Sequence, residues 1–226
     1  MHDVTYEQPE SHFEYVVDKR DSTQFKSTAF ECMDQVQGWC SHQKASILLD
    51  IILAVKPKTV VEIGVWGGKS LLPMAYTLKR IGKGIVYGID PWDSQASLEG
   101  VMHEGNIAFW RTVDHEGILL QLIDVIGQYG LDDSVRLVRD TSAHAPIIEE
   151  IDILHIDGNH SDVTSYIDVT KWVPLVRKGG WIVFDDMNWF ENGVTTTGRA
   201  VEYLNTHCHQ IAEINEACQW GIWYKP

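Results

Sequence analysis

Short apolar runs alternate with helical periods along most of this chain. From residue 32 to residue 55 apolar positions return every three or four residues, the spacing of an amphipathic helix. Gly38-Trp39-Cys40-Ser41 breaks that stretch, and Ser41 is placed to cap a second helix that runs through Leu53 and ends at Pro57. Residues 59–63, 85–90, 135–138, 151–156 and 181–184 then read as buried strands. Helices are expected between them at about 69–81, 117–129 and 161–173, with another near 198–207. Gly179-Gly180 is expected to turn the chain into the fifth strand. Two final runs, 210–214 and 220–224, flank Asn215-Glu216-Ala217-Cys218 and predict an antiparallel hairpin. Residues 1–30 read as polar and irregular, apart from an aromatic patch at Phe13, Tyr15, Val16 and Val17.

Strand–helix alternation with short connections indicates an α/β fold. The expected form is a doubly wound seven-stranded sheet, mostly parallel, with a C-terminal antiparallel hairpin. Residues 1–56 are expected to be an N-terminal helical cap within the same domain. Residues 57–226 form the main body, with a lid or insert at about 94–114.

Composition narrows the function classes. A chain of 226 residues with 44% hydrophobic and 22% charged residues suits one soluble α/β domain. The net charge of −14 repels phosphate backbones and anionic lipid, so neither nucleic acid nor a membrane is expected as a partner. No apolar run reaches the roughly 18 residues of a membrane helix. The first residues carry no basic or apolar leader pattern, so a cytoplasmic location is expected. The four cysteines show no paired metal-binding spacing.

The strand ends carry the chemistry. The run 153–156 leads into Asp157-Gly158-Asn159-His160, and 181–184 leads into Asp185-Asp186. If these strands are neighbours, about 4.8 Å apart, their terminal acids can share one cation. Open α/β sheets bind ligands at that carboxyl edge. Asp157, Asp185 and Asp186 are therefore candidate ligands of a divalent metal, with His160 as a neighbouring base.

A second cluster follows the first strand. Glu62-Ile63-Gly64-Val65-Trp66-Gly67-Gly68-Lys69-Ser70 has glycines for a tight turn and close approach of a ligand. It is neither the dinucleotide fingerprint nor a P-loop. Glu62 would repel a pyrophosphate and attract a cationic amino-acid tail. Asp90 ends the second strand, where a carboxylate can accept ribose hydroxyls. Asp140, Thr141 and Ser142 follow the third strand, within reach of an adenine ring.

These features resemble class I S-adenosylmethionine-dependent methyltransferases, over residues 40–226. The resemblance implies that Glu62, Gly64, Gly67, Gly68 and Ser70 face the methionine part of the cofactor, and that Asp90 faces its ribose. Trp92, Asp140, Thr141, Ser142 and Asp157 complete the expected cofactor set. The spacing Asp157, His160, Asp185-Asp186 is similar to that of metal-dependent O-methyltransferases. Catechol-type members have Asp-Asn at the second position. The Asp-Asp pair with a histidine looks more like the sugar O-methyltransferases of macrolide tailoring. Gly38-Trp39-Cys40, Asp90-Pro91-Trp92 and the 96–100 stretch resemble a broader group that includes proteins labelled cephalosporin hydroxylases.

The implied function is S-adenosylmethionine-dependent O-methylation of a small vicinal diol, such as a sugar or catechol-like metabolite. Mg²⁺ or a similar cation would chelate the diol and ease deprotonation, and His160 would take the proton. Blander readings exist: Asp157 or Ser161 capping a helix, Asp186 in a surface ion pair, and His155 simply packing. Metal-independent methyl transfer and a non-catalytic cofactor-binding protein of the same fold are the alternatives. A helical cap commonly pairs subunits, which leaves a homo-oligomer open.

Overall fold

The apolar runs become strands of one seven-stranded sheet, in the order 135–138, 85–89, 59–63, 151–156, 176–184, 219–224 and 209–215. Residues 19–216 and 218–226 are described by a computed structural model. The aromatic patch at Phe13, Tyr15, Val16 and Val17 and residues 1–18 of the expected cap lie outside the described residues. Strands β1 (Thr59–Ile63), β2 (Ile85–Ile89), β3 (Val135–Val138), β4 (Ile151–Ile156) and β5 (Val176–Phe184) are parallel. The terminal pair β8 (His209–Asn215) and β9 (Gln219–Tyr224) joins β5 in antiparallel fashion, as expected. Among the described residues no helix is long and apolar enough to cross a membrane.

Helices cover both faces, so the parallel strands are buried on each side. On one face Val60, Val86, Ile153 and Val183 pack with α2 (His42–Val55), α3 (Leu71–Ile81) and α6 (His115–Gln128). On the other, Val61, Leu154 and Ile182 meet α7 (Asp162–Trp172) and α8 (Gly198–His207). Strand side chains alternate between faces, so Glu62, His155 and Val183 all lie on the α2 face. The register pairs Glu62 with His155 and Ile156 with Phe184. Asp157 and Asp185 therefore leave the sheet side by side; their amides donate to Ile63 O (2.8 Å) and Ile156 O (3.0 Å), extending the ladder.

Two expectations need correction. Residues 19–30 are not irregular: α1 spans Lys19–Met33. Its buried Phe25, Ala29, Cys32 and Met33 recur at helical spacing, and Phe25 stacks on Tyr76 of α3 at 5.7 Å. Tertiary packing of a short apolar stripe outweighs the polar composition. Gly179-Gly180 does not turn into the fifth strand but lies inside it. The chain end explains this, because Gly179 N donates to Lys225 O and Lys225 N to Gly180 O. The loop after β5 has structure too: β6 (Phe190–Glu191) and β7 (Val194–Thr195) form a hairpin. Asn192 (φ 49°) and Gly193 (φ 93°) supply the left-handed turn, a pairing that favours two-residue hairpins.

The 94–114 insert contains two helices, α4 (Ser94–Ser97) and α5 (Glu104–Thr112), capped by Asp93 and His103. Ser41 caps α2 as expected, accepting from Lys44 N at 2.9 Å.

Asp168 of α7 is fully buried and accepts a hydrogen bond from Ser142. Burial raises its carboxyl from 3.8 to about 7, against the Ser142 bond and the Lys171 charge. The folded chain thus holds this proton more tightly than the unfolded chain, and its stabilising share is lost as pH rises from about 4 to about 7. Asp168→Asn is expected to remove that share, leaving a smaller fall in urea midpoint between about pH 5 and pH 8 than in the wild type.

Candidate active site

A row of buried charge crosses the sheet just below its carboxyl edge. Ser70 Oγ donates to Glu62 Oε1 at 2.5 Å. The same oxygen lies 2.8 Å from His155 Nδ1, and His155 Nε2 lies 2.8 Å from Asp185 Oδ2. Lys44 of α2 closes the row, with its ammonium donating to Asp185 Oδ2 and reaching Asp157 Oδ2 at 3.4 Å. Glu62 and His155 are fully buried and Lys44 is 5% exposed.

Each charge here is held by the next. Burial opposes the Lys44 ammonium, but Asp185 and Asp157 outweigh it and lift its pKa above the ordinary lysine value. Burial and Lys44 also work against a protonated His155, yet Asp185 and Glu62 raise it to about 9. Both ring nitrogens then donate to carboxylates. Asp185 is held well below the usual carboxylate range by Lys44 and His155, despite its burial. Asp157, by burial and the adjacent Asp185, is pushed well above that range. Lys44 was not singled out by sequence, and His155 was read as packing. Both were visible as anomalies: a lysine on the stripe of Ala45, Leu48 and Ile52, and a histidine in an otherwise apolar strand, where a buried polar group needs partners.

On the β1–β2 side, the loop after Glu62 is tightly built. Gly64 sits at φ +81°, and a Cβ there would lie 2.0 Å from Asp157 O. Gly67 and Gly68 are crowded by the chain itself, at Gln37 O and the Leu122 side chain. Asp90 braces the loop: Oδ2 accepts from Val65 N (3.0 Å) and Trp66 N (2.9 Å), and Oδ1 from Trp92 N (2.7 Å). Burial raises its pKa against those backbone donors. Trp92 is buried and its indole donates to Trp66 O at 2.8 Å. Ser70 is likewise buried, against Glu62, and Ser142 against Asp168. Asp140 and Thr141 are half-buried at the end of β3, where Asp140 accepts from Thr141 N. Among the described residues three buried side-chain atoms have no partner among protein groups, Ser165 Oγ, Trp220 Nε1 and, beside this loop, Glu62 Oε2. An unmatched carboxylate oxygen beside the glycine loop suits a cationic ligand group such as an α-ammonium.

On the β4–β5 side, Ser161 caps α7, accepting from Thr164 N, so Asp157 is not the cap. Asp186 is buried with φ +52°, and His160 Nε2 lies 3.1 Å from its Oδ2. The His160 ring packs on Trp189 at 4.6 Å. Burial lowers the His160 pKa despite Asp186 and Asp185, so the ring is neutral near pH 7. A cavity of about 520 Å³ opens here, lined by residues that include Asp186, Trp189, His103, Asn106 and Asn188. Glu191 latches its walls together, accepting from His103 N (2.7 Å), Asn106 Nδ2 (2.6 Å) and Trp189 Nε1 (3.1 Å). The insert and the β6–β7 hairpin thus form one rim. Trp66, packed edge-on against Trp110 of α5 at 5.0 Å, ties that rim to the glycine loop.

The expected metal ligands are brought together, but not around a free gap. Ligand atoms of His155, Asp157 and Asp185 lie within 4.8 Å of one another, as do those of Asp157, His160 and Asp186. Lys44 occupies the Asp157–Asp185 gap. A hard divalent ion needs six or more oxygen ligands, several of them waters; with the ammonium in place the Asp157, Asp185 and Asp186 set does not fit it.

A family model described as a methyltransferase domain matches residues 61–187. The tapetum-specific methyltransferase 1 of Arabidopsis thaliana is 25% identical over 171 residues, 76% of this chain and 63% of that protein. The caffeoyl-CoA O-methyltransferase of Stellaria longipes is 22% identical over 173 residues, 76% of this chain and 64% of that protein. The chain spans less than two thirds of the length of these relatives. The O-methyltransferase TomG of Streptomyces achromogenes, solved with S-adenosylmethionine, shares the fold at TM-score 0.62 and 15% identity, over 89% of each chain.

Gly64→Ala is expected to destabilise the chain by about 2–4 kcal/mol, combining left-handed strain with a backbone clash. Denaturant midpoints measure this, with Gly82→Ala as the comparison, since its site is left-handed but open.

Proposed function

The chain belongs to this methyltransferase-domain family, and on that premise we propose that it methylates a hydroxyl of a small acceptor from S-adenosylmethionine. The observation that carries the reading is the pairing of two half-sites across β1, β4 and β5. One ends in the unmatched Glu62 Oε2, and the other in His160, 3.1 Å from the Asp186 that lines a cavity. The acceptor class we favour is a vicinal diol, such as a sugar or catechol-like metabolite. Trp189, Asn106 and Asn188 offer a flat apolar face and amide groups at the cavity, suited to a polyhydroxylated ring.

Bound cofactor supplies an electrophilic methyl group on sulfur. The residues of the chain do the rest. Glu62 Oε2 receives the α-ammonium of the methionine moiety. Asp90 keeps the glycine loop in shape and retains acceptor capacity on Oδ1 for a ribose hydroxyl. His160, with Nε2 3.1 Å from Asp186 Oδ2 and a neutral ring, serves as the base for the hydroxyl proton. Asp186 also stabilises the imidazolium formed. Trp189 and the Glu191 latch exclude water and fix the acceptor, converting a bimolecular encounter into a positioned one.

A second reading retains a divalent cation, supported by the ligand atoms of Asp157, His160 and Asp186 lying within 4.8 Å. Loss of turnover in EDTA that Mg²⁺ restores would establish it.

His160→Ala is expected to lower kcat by about 10²–10⁴-fold, the usual share of a positioned base, with cofactor affinity by calorimetry unchanged. Wild-type turnover in that variant would remove His160 from the reaction. Glu62→Gln, which takes the charge from the unmatched oxygen, is expected to weaken S-adenosylmethionine binding about 10- to 100-fold. Equal affinity would show that Glu62 serves the buried row alone.

A further inference from the structure

Lys44 lies in the first turn of α2, a helix whose other buried positions are Ala45, Leu48, Leu49 and Ile52. A lysine on that stripe is costly, because taking an ammonium out of water costs several kcal/mol unless opposite charge and hydrogen bonds compensate. Its backbone is pinned. Ser41 accepts from Lys44 N, and the Ser41 hydroxyl donates to Glu216 at 3.0 Å. From there the side chain passes Cys40 and Trp220, its nitrogen 6.0 Å from the indole centroid, and ends between Asp157 and Asp185. The shared oxygen, Asp185 Oδ2, also faces His155.

Lys44 and His155 already set two positive charges among the carboxylates of Glu62, Asp157 and Asp185. A divalent ion between Asp157 and Asp185 would have to take its ligand oxygens from the ammonium. We propose that Lys44 is the resident cation of the carboxylate pair. It holds Asp157 and Asp185 in position from α2, in the place where a divalent metal ion would otherwise sit.

The consequence for the fold is that the N-terminal helices do more than cover the sheet. Helix α2 delivers a positioning residue to the strand edge, so that part of the chain is needed for the site to be complete. A fixed ammonium also frees the site from the supply of divalent ions. Lysine offers a compact charge with three donors on a flexible stem, and no exchangeable waters. The proposal rests on the geometry of the row, with the methyl-transfer reading needed only for its bearing on catalysis.

Mn²⁺ binding to the full chain, followed by electron paramagnetic resonance with cofactor present and absent, tests this without any turnover. Lys44→Met keeps most of the volume and removes the charge. It is expected to take up one more Mn²⁺ per chain than the wild type, and Lys44→Arg to match the wild type. Adding Asp185→Asn to Lys44→Met is expected to abolish the extra site. Equal Mn²⁺ stoichiometry in wild type and Lys44→Met would overturn the proposal. Should Lys44→Met fail to fold, the wild type decides: a Mn²⁺ site that is lost in Asp185→Asn contradicts a resident ammonium, and its absence supports one. Failure of the methyl-transfer reading would show instead as absent cofactor binding, with the metal results unchanged.

Discussion

The contact between the Lys44 ammonium and Asp185 joins a helix of the cap to a strand end of the sheet, and much else is arranged around it. An unpaired charge at either position would be buried at a cost of several kcal/mol. Asp185 therefore needs Lys44 and His155, His155 needs Glu62, and Glu62 draws in Ser70 at the start of α3. Four sequence-distant segments are fixed by one chain of hydrogen bonds. The β1–β4 register is part of the same arrangement, since a shift of one residue would turn His155 to the opposite face of the sheet.

The row also connects the two halves of the site. At one end the free oxygen of Glu62 lies beside the glycine loop that Asp90 holds through two backbone amides. At the other, Asp157 stands next to His160, whose orientation comes from Asp186 and Trp189. The rim is a separate construction. Glu191 clips the insert to the β6–β7 hairpin, and the aromatic contacts of Trp66 carry that rim back to the loop.

The sheet was legible because its signals are local. Strands buried on both faces read as unbroken apolar runs, and Ser41 and Ser161 announce the helices they cap. Asp157, Asp185 and Asp186 could be placed at one edge because the 151–156 and 181–184 runs both end there. What lies across the chain was harder. Lys44 is separated from Asp185 by 141 residues, and no local pattern predicts that pairing. Its mark in the sequence is a charge on an apolar stripe, readable as an oddity and not as a role. His155 was read as packing because a histidine inside a strand usually packs; the Glu62 facing it in register gives it a function in the row. Phe25 and Ala29 had the spacing of a helix but too few neighbours of the same kind to outweigh a polar segment. Asn192-Gly193 carried a hairpin signal, and the strands it joins are two residues each, too short to show alternation.

A crystal structure of the full chain grown with S-adenosylhomocysteine and excess MnCl₂, with data collected at the manganese edge, tests the account most directly. It predicts Lys44 Nζ between Asp157 and Asp185, the cofactor product against Glu62 and the glycine loop, and no anomalous peak between those two carboxylates. A manganese peak there, with Lys44 displaced toward solvent, would contradict it.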